Sequence, residues 1–218
     1  KRAFAAIRAD GSVVSWGEAN YGGDSSAVGE QLSNVHSIVS TQYAFAAILA
    51  DGTVVSWGNT SLGGDSSDVK ASLTNVQSIA ATGLAFAAIR ADGAVVSWGN
   101  PTYGGNSSSV SEELIKVQSI AATSQAFAAV KADGSVVTWG FSIYGGDSSS
   151  VSSELSQVKS ITASLSAFAA IRIDGSVVSW GLSASGGDSS NASADLTQVQ
   201  SISSTDFAFA AIRADGTV

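Results

Sequence analysis

Apolar residues recur along this chain in a fixed order, and one pattern fills the whole sequence. In its second copy, Val35–Ser40 is short and rich in β-branched residues, and in Ala44–Ala50 Phe45 and Ala47 are expected on one side and Ala46 and Ile48 on the other. A third apolar segment, Thr53–Trp57, follows after a short polar interval. Brief segments of this kind are typical of β-strands. The pattern therefore predicts three strands in each copy.

The copies follow one another at a constant spacing of 41 residues, marked by tryptophans at Trp16, Trp57, Trp98, Trp139 and Trp180. Self-similarity at such a period is the signature of a repeat architecture. The repeats are 1–41, 42–82, 83–123, 124–164 and 165–205, with a partial sixth at 206–218. Because the pattern is uninterrupted, we interpret residues 1–218 as a single repeat domain.

An Asp-Gly pair separates the second and third predicted strands of every repeat, for example Asp51-Gly52. This pair favours a two-residue hairpin of type I′, in which both central residues have positive φ. Turn chemistry also accounts for these aspartates without any role as acids or metal ligands. We therefore expect the Asp-Gly segment to be structural.

The end of each repeat predicts a short helix. After a double glycine, Val69, Leu73 and Val76 are spaced as on one face of a helix of one to two turns. A serine at the start of this segment is expected to be the N-cap. The expected N-caps are Ser26, Ser67, Ser109 and Ser150.

Three strands and a short helix can be stacked in two ways. Coils of a β-solenoid pair edge to edge about 4.8 Å apart, which leaves little room for a helix about 10 Å across. Sheets of a β-propeller pack face to face at about 10 Å, which accommodates it. We therefore predict an all-β propeller, with a larger incomplete ring or an open solenoid array as alternatives.

Five complete repeats predict five blades, and the partial sixth repeat adds one strand too many. Arg2–Ala9 and Phe207–Ala214 would then compete for the same place in the ring. Closure through missing sequence, or self-association through unpaired terminal strands, would resolve that competition. Because both ends lie inside repeats, we also expect a longer parent sequence.

Charge and composition exclude several classes of function. The formal net charge is −8, which argues against binding to a phosphate backbone. The chain contains no cysteine, so disulfides and thiolate metal sites are excluded. No apolar run reaches the length of about 20 residues that a membrane-spanning helix needs, and nothing resembles a signal peptide. The compartment stays undecided.

The segment 76–105, and with it the pattern of the whole chain, resembles the repeat of the RCC1-like family, whose units carry the motif DG-x-V-x-x-WG and build β-propellers. The matching residues are Val76, Ile79, Ala85–Ile89, Asp92-Gly93, Val95, Trp98-Gly99 and Gly104-Gly105. The bend departs from the family pattern, because Gly22-Gly23-Asp24 stands where Gly-Gln-Leu-Gly is usual. Members of the family are exchange factors, ubiquitin-ligase accessory domains or scaffolds. The resemblance implies a propeller with a protein-binding role, and carries over no activity by residue.

Candidates for catalysis are few, and we predict that the chain is not an enzyme and needs no cofactor. The one histidine, His36, is expected to face solvent or to have its hydrogen bonds satisfied, rather than to be a catalyst. Aspartates after the double glycine, such as Asp24 and Asp65, offer calcium oxygen ligands. Because no further acids lie near them, we expect them to cap the bend or helix and predict no metal site.

Basic residues share one repeat position next to the Asp-Gly pair: Arg8, Arg90, Lys131, Arg172 and Arg213, with Leu49 interrupting the series. In a closed ring these cations would form a circle able to receive an anion. The alternative is that each is a solvated strand end or a partner of the neighbouring aspartate.

The repeats differ most in two segments, the one after the first strand and the one after the third. Because these strands run in the same direction, both segments are expected at one end of the sheet, opposite the Asp-Gly hairpin. We predict that a protein partner binds there. The candidate residues are Asn20, Tyr21, Tyr43, Leu62, Tyr103, Tyr144 and Phe207.

Two other functions compete with this scaffold or protein-interaction hypothesis. A lectin-like propeller with one carbohydrate site per repeat would need the same polar and aromatic residues in every copy, and the variable segments differ. A purely structural array would have no partner.

Overall fold

The computed structural model describes residues 2–218, and it is all-β with short 3₁₀ helices between the sheets. The described residues form two compact units, one ending at Ser109 and the other spanning Val110–Val218. Each unit is described by itself.

The first unit contains eight strands in three antiparallel sheets. One sheet pairs β1 with β2, the next has the order β3-β4-β5, and the third has the order β6-β7-β8. The strands are β1 (Ala3–Ile7), β2 (Val13–Gly17), β3 (Val35–Ser40), β4 (Ala44–Leu49), β5 (Val54–Gly58), β6 (Val76–Ala81), β7 (Ala85–Arg90) and β8 (Val95–Gly99).

The second unit repeats this plan with sheets β9-β10-β11, β12-β13-β14 and a two-stranded sheet of β15 and β16. The strands are β9 (Val117–Ala122), β10 (Ala126–Lys131), β11 (Val136–Gly140), β12 (Val158–Ala163), β13 (Ala167–Arg172), β14 (Val177–Gly181), β15 (Val199–Ser204) and β16 (Phe209–Arg213). The three predicted strands per repeat are therefore confirmed within one or two residues of their predicted bounds.

The sheets pack face to face. In the first unit, Ala46 and Ile48 on β4 share a core with Phe86 and Ala88 on β7 and with Trp98 on β8. Alanine on one sheet leaves room for phenylalanine on the next, and Phe86 is fully buried. Strand pairing among residues 2–218 stays within a sheet, so the edge-to-edge pairing of a solenoid is not observed.

Three tryptophans, Trp57, Trp98 and Trp180, also link their sheets to the preceding repeat. The indole N–H of Trp98 donates to the carbonyl of Gly63 at 3.1 Å, and Trp57 donates likewise to Gly22 at 3.0 Å. Trp98 also stacks on Phe86 across the strand pair, with ring centroids 5.1 Å apart. The repeated Phe and Trp positions thus form the interface between repeats.

The Asp-Gly hairpin differs from the predicted type I′ turn. Gly52 has a φ of +78°, but Asp51 is not among the described residues with positive φ. Leu49 N–H donates to the Thr53 carbonyl and Gly52 N–H donates to the Leu49 carbonyl, both at 2.9 Å. The loop therefore has three residues, 50–52, and ends in a left-handed glycine. The prediction of a two-residue loop is wrong, because an Asp-Gly pair is compatible with two-residue and with three-residue loops.

The predicted helix is a 3₁₀ segment, as short as three residues in the later repeats. In the second repeat it spans Ser67–Ser72, and Val76 already belongs to β6. The predicted serine N-caps Ser26, Ser67, Ser109 and Ser150 lie inside these segments, so that prediction is wrong.

The aspartate of the bend supplies the acceptor instead. The Asp65 carboxylate accepts from the Ser67 N–H at 2.9 Å, two residues further along the chain. Asp24, Asn106, Asp147 and Asp188 make the same contact. Their expected capping role is confirmed.

Candidate functional site

The two variable segments of a repeat meet at one end of its sheet, which we call the loop face. Asn59 N–H donates to the Tyr43 carbonyl at 3.0 Å and so joins the segment after β5 to the segment after β3. Asn100 and Leu84 form the matching bond in the third repeat, also at 3.0 Å. The predicted convergence of the segments is therefore present in the first unit.

A buried threonine fixes this junction, although it was absent from the predicted set. The Thr82 hydroxyl accepts from the Ala85 N–H at 3.0 Å and lies 3.1 Å from the Tyr103 carbonyl, to which it donates. Thr41, Thr123 and Ser164 hold the equivalent place. A hydroxyl residue three positions before each Ala-Phe-Ala was the signal available in the sequence.

Successive repeats are also joined at the loop face. Gln42 N–H donates to the Gly83 carbonyl at 2.9 Å in the first unit. In the second unit, Ser124 N–H donates to the Leu165 carbonyl at 2.9 Å. Because backbone bonds hold the loops at both sides, their side chains project from a preorganised support.

An aromatic cluster forms on the loop face of the first unit. Tyr21 and Tyr43 come from consecutive repeats and stack with ring centroids 4.5 Å apart. The Arg2 guanidinium lies 4.9 Å from the Tyr21 centroid, a cation–π distance, and pairs with Glu18 at 3.2 Å. A groove of about 390 Å³ opens beside them and is also lined by Gln42.

The charges of this cluster affect one another. The hydrogen bond with Glu18 raises the pKa of Arg2 above its ordinary value. The neighbouring Tyr43 side chain raises the pKa of the Tyr21 phenol. Both groups therefore keep their ordinary charge at neutral pH: Arg2 is positive and Tyr21 is neutral.

The remaining predicted partner-binding residues are distributed along the loop faces. In the first unit Asn20 is exposed, whereas Leu62 and Tyr103 are half-buried. In the second unit Tyr144 is half-buried, with its ring 5.6 Å from that of Phe141. Phe207 is 63% exposed. Of the predicted set, the structure brings Tyr21 and Tyr43 into direct ring contact.

Two further apolar side chains are exposed on the loop face of the second unit and were absent from the predicted set. Ile143 is 56% exposed and Leu165 is 40% exposed. Both lie in the variable segments, so differences between repeats were the signal that could have identified them.

The basic series at the hairpin end is engaged mostly by its own repeat. Arg90 pairs with Asp92 at 3.3 Å, and Arg172 pairs with Asp174 at 3.7 Å. Arg172 and Arg213 also donate to the Ser156 and Thr197 carbonyls. Arg8 lies near the Ser12 hydroxyl at 3.4 Å, and Lys131 is half-buried. Arg90 and Arg172 therefore have the neighbouring aspartates as partners, which was the alternative to an anion-binding site. A circle of these cations that receives an anion stays a prediction.

Carboxylates in the two kinds of turn are held by hydrogen bonds rather than clustered. Hydrogen bonds from the Thr53 hydroxyl and N–H lower the pKa of Asp51, and bonds from Ser67 do so for Asp65. Within residues 2–218, no group of three or more His, Asp or Glu side chains is arranged so that it could hold a metal ion.

The single histidine, His36, is exposed, as expected, where β3 bulges away from β4. No helix in the described part of the chain is long and apolar enough to cross a membrane.

Comparison with known proteins shows an RCC1-like propeller fold. Prp20p from Saccharomyces cerevisiae superposes with a TM-score of 0.51 at 15% identity, covering 83% of this chain and 56% of that chain. Yeast RCC1 (Prp20) bound to Kap60 gives 0.52 at 17% identity, covering 83% and 54%. The chain therefore spans just over half the length of these Prp20 structures.

A plant receptor shares the fold over a larger part of its length. The CRINKLY WD40 ectodomain of the Arabidopsis thaliana receptor kinase ACR4 gives a TM-score of 0.57 at 15% identity, covering 98% of this chain and 77% of that chain. No protein-family model and no curated protein matches the chain. The likenesses are thus to the fold, at identities too low to transfer residues.

Proposed function

We propose that this chain is a non-enzymatic protein-interaction module whose partner binds the loop face. The observation that carries the proposal is the cluster in which Tyr21 and Tyr43 stack, with Arg2 against one ring. Tyrosine and arginine are enriched among the residues that dominate binding energy at protein interfaces. Prp20p, which shares the fold, has been studied for its binding to Gsp1p and histones.

The loop face also has the mechanical properties that a binding surface needs. Its backbone is fixed by the Thr41 hydroxyl and by the bond from Gln42 to Gly83, so little ordering is lost when a partner docks. Its side chains differ between repeats, so the surface is asymmetric. An asymmetric surface suits one protein partner better than a sugar bound identically by every repeat.

We also propose that the sheets close into a propeller ring. Face-to-face packing of three-stranded sheets supports the propeller, and five blades remain the number that the five complete repeats favour. Self-association is proposed as well, because Phe4 and Trp16 are half-exposed while their counterparts in the next repeat are buried.

The repeats supply the substitutions that test the loop face. Tyr21→Ser introduces the residue of the equivalent Ser185, and Tyr43→Gln introduces that of Gln125, so the fold should tolerate both. Tagged wild-type and double-variant proteins are used to precipitate binding proteins, which are quantified by mass spectrometry. We expect at least one protein to be retained by the wild type and lost with the double variant.

A matched control changes the opposite end of the same unit, where Asp10→Asn keeps a hydrogen-bond acceptor in the hairpin. This variant should retain the same protein as the wild type. Equal retention by all three proteins, or equal loss with the control, would refute binding through the loop face. Saturable binding of the wild type to a glycan array, abolished by the double variant, would refute it in favour of the lectin-like alternative.

A further inference from the structure

The hairpin end of the second unit carries two exposed isoleucines where other repeats have small or polar residues. Ile115 is 52% exposed and Ile173 is 72% exposed. The counterparts of Ile115 are Ser33, Thr74, Ser156 and Thr197, and those of Ile173 are Ala9, Ala50, Ala91, Ala132 and Ala214. The apolar side chains are thus exceptions to the repeat and are not needed to build it.

Backbone hydrogen bonds join the two isoleucine positions through one hairpin. Ala132 N–H donates to the carbonyl of Lys116, the residue after Ile115, at 2.9 Å. Val158 N–H donates to the carbonyl of Gly134 at 2.9 Å, and Ile173 N–H donates to the Gln157 carbonyl at 2.8 Å. The hairpin at 131–134 therefore lies between the backbone positions of Ile115 and Ile173.

The basic residues of the second unit lie at this same end of its sheets. All five cations between 110 and 218 are near a hairpin or beside the start of a first strand: Lys116, Lys131, Lys159, Arg172 and Arg213. Arg172 pairs with Asp174, but Lys116 and Lys131 form no ion pair within the described chain. The nearby Asp133 carboxylate accepts the Ser135 N–H and hydroxyl, at 3.0 and 2.6 Å.

A cleft lies beside Ile115. It has a volume of about 340 Å³ and is lined by Ile115, Lys116, Lys131, Ala132 and Asp133. Its wall is largely apolar, and its charged residues are Lys116, Lys131 and Asp133. Ligand clefts in proteins typically measure about 300–1,000 Å³, so the space is sufficient for side chains of a bound segment.

We propose that this cleft and Ile173 form a second interaction surface, which binds a short acidic segment of another protein. An apolar side chain of the segment would pack on Ile115, and flanking carboxylates would pair with Lys116 and Lys131. The charges of the cleft lining support this choice, because Lys116 and Lys131 face a single carboxylate, Asp133, which already accepts two hydrogen bonds from Ser135. The surface lies at the opposite end of the sheets from the loop face and does not depend on it.

Peptide selection tests the proposal while the partner is still unidentified. Random short peptides displayed on phage are panned on the wild type, with the soluble variant Ile115→Ser/Lys116→Asn/Ile173→Ala as competitor. Each substitution installs the residue of another repeat, and Asn34 and Asn75 already adopt the left-handed conformation that Lys116 has, so folding is preserved. Enriched peptides are synthesised with a fluorophore, and affinity is measured by anisotropy.

We expect the enriched peptides to combine Asp or Glu with an apolar residue and to bind the triple variant about tenfold or more weakly. Replacing the apolar residue of the peptide by serine should weaken binding as well. The control Lys70→Ala, a lysine of the first unit, should bind like the wild type.

Several results would overturn the proposal. One is the enrichment of neutral or basic peptides. Another is that the selected peptides bind the triple variant as tightly as the wild type. A third is that Lys70→Ala weakens their binding as much as the triple variant does, which would indicate unspecific charge attraction. Binding to phosphatidylserine vesicles that the triple variant abolishes, with no peptide selected, would assign the surface to a membrane instead.

Discussion

A single indole nitrogen connects a repeat to the one before it at Trp57, Trp98 and Trp180. Trp98 is buried between sheets, and its N–H reaches the Gly63 carbonyl at 3.1 Å. A buried carbonyl that loses its donor costs stability, because water cannot replace the bond. The sequence placed a tryptophan at the same position of each complete repeat, but the acceptor 35 residues away could not be identified from local spacing.

The Trp98→Phe variant should therefore be less stable by about 2–4 kcal/mol, from the lost hydrogen bond and the smaller ring. Urea unfolding followed by circular dichroism measures this change. Trp16→Phe is the control, because Trp16 is 51% exposed in the monomer, and at a protein concentration where the chain is monomeric its unfolding free energy should change by less than about 0.5 kcal/mol. Equal losses in both variants would contradict the role assigned to the indole bond.

Backbone strain recurs just before each first strand. Gln157 has a φ of +56°, a conformation that costs a residue with a side chain about 1–2 kcal/mol. Glycine adopts it freely, so Gln157→Gly should stabilise the protein by about 0.5–1 kcal/mol. Gln118→Gly, within β9, should destabilise it by a similar amount. Thermal unfolding measures the change in stability of both variants. A lower stability of Gln157→Gly than of the wild type would contradict the claim that Gln157 is strained.

At the scale of the element, the hairpin shows what local sequence can and cannot predict. The Asp-Gly pair located every hairpin, because glycine supplies positive φ at a position where side chains are strained. Loop length was not predictable from this pair, since a two-residue and a three-residue loop both use it. The 3₁₀ segments were predicted as helix because Val69, Leu73 and Val76 face the core in a helical spacing, although Val76 does so from a strand.

The aspartates of the turns predict acid sensitivity. Hydrogen bonds from hydroxyl and N–H groups lower the pKa of Asp51, and the same holds for Asp10, Asp133, Asp174 and Asp215 in the other hairpins. A carboxylate whose pKa is lower in the folded state stabilises the fold above its unfolded pKa of about 3.9. That stabilisation is lost as pH falls through the folded pKa.

We therefore expect the unfolding free energy to be constant near neutral pH and to fall below about pH 4. Asp51→Asn keeps an acceptor that does not titrate, so its stability should depend less steeply on pH. Urea unfolding at a series of pH values compares the two proteins. An identical pH dependence would contradict a contribution from this turn.

At the scale of the whole molecule, an apolar surface on the first sheet predicts self-association. Phe4 and Trp16 are about half-exposed, whereas the equivalent Phe45 and Trp57 are buried against the preceding repeat. Inside the array the same surface is covered by the preceding repeat, so in a sample of residues 1–218 we propose a second copy of the chain as its occupant. Light scattering should show an average mass that rises with concentration. Phe4→Ser/Trp16→Ser should reduce that rise, and a constant monomer mass would contradict the prediction.

The sequence located the loop face but not the contacts that build it. Antiparallel strand order placed both variable segments at one end, and the structure joins them through Tyr43 and Asn59. The stacking of Tyr21 on Tyr43 joins residues of different repeats, so it depends on how the sheets pack and not on local spacing. The hairpin end is nearly the same in every repeat, and for that reason the exceptions Ile115 and Ile173 were not predicted to bind a partner.

Photo-crosslinking from single positions tests most directly whether a partner binds at the loop face. A photoreactive phenylalanine analogue replaces Tyr21 on the loop face, and in a separate protein it replaces Ala94 at the hairpin end of the same unit. Both proteins are irradiated with the binding proteins retained by the wild type. Crosslinks from position 21 and none from position 94 are the predicted result. Crosslinks from position 94 alone, or equally from both positions, would contradict binding through the loop face.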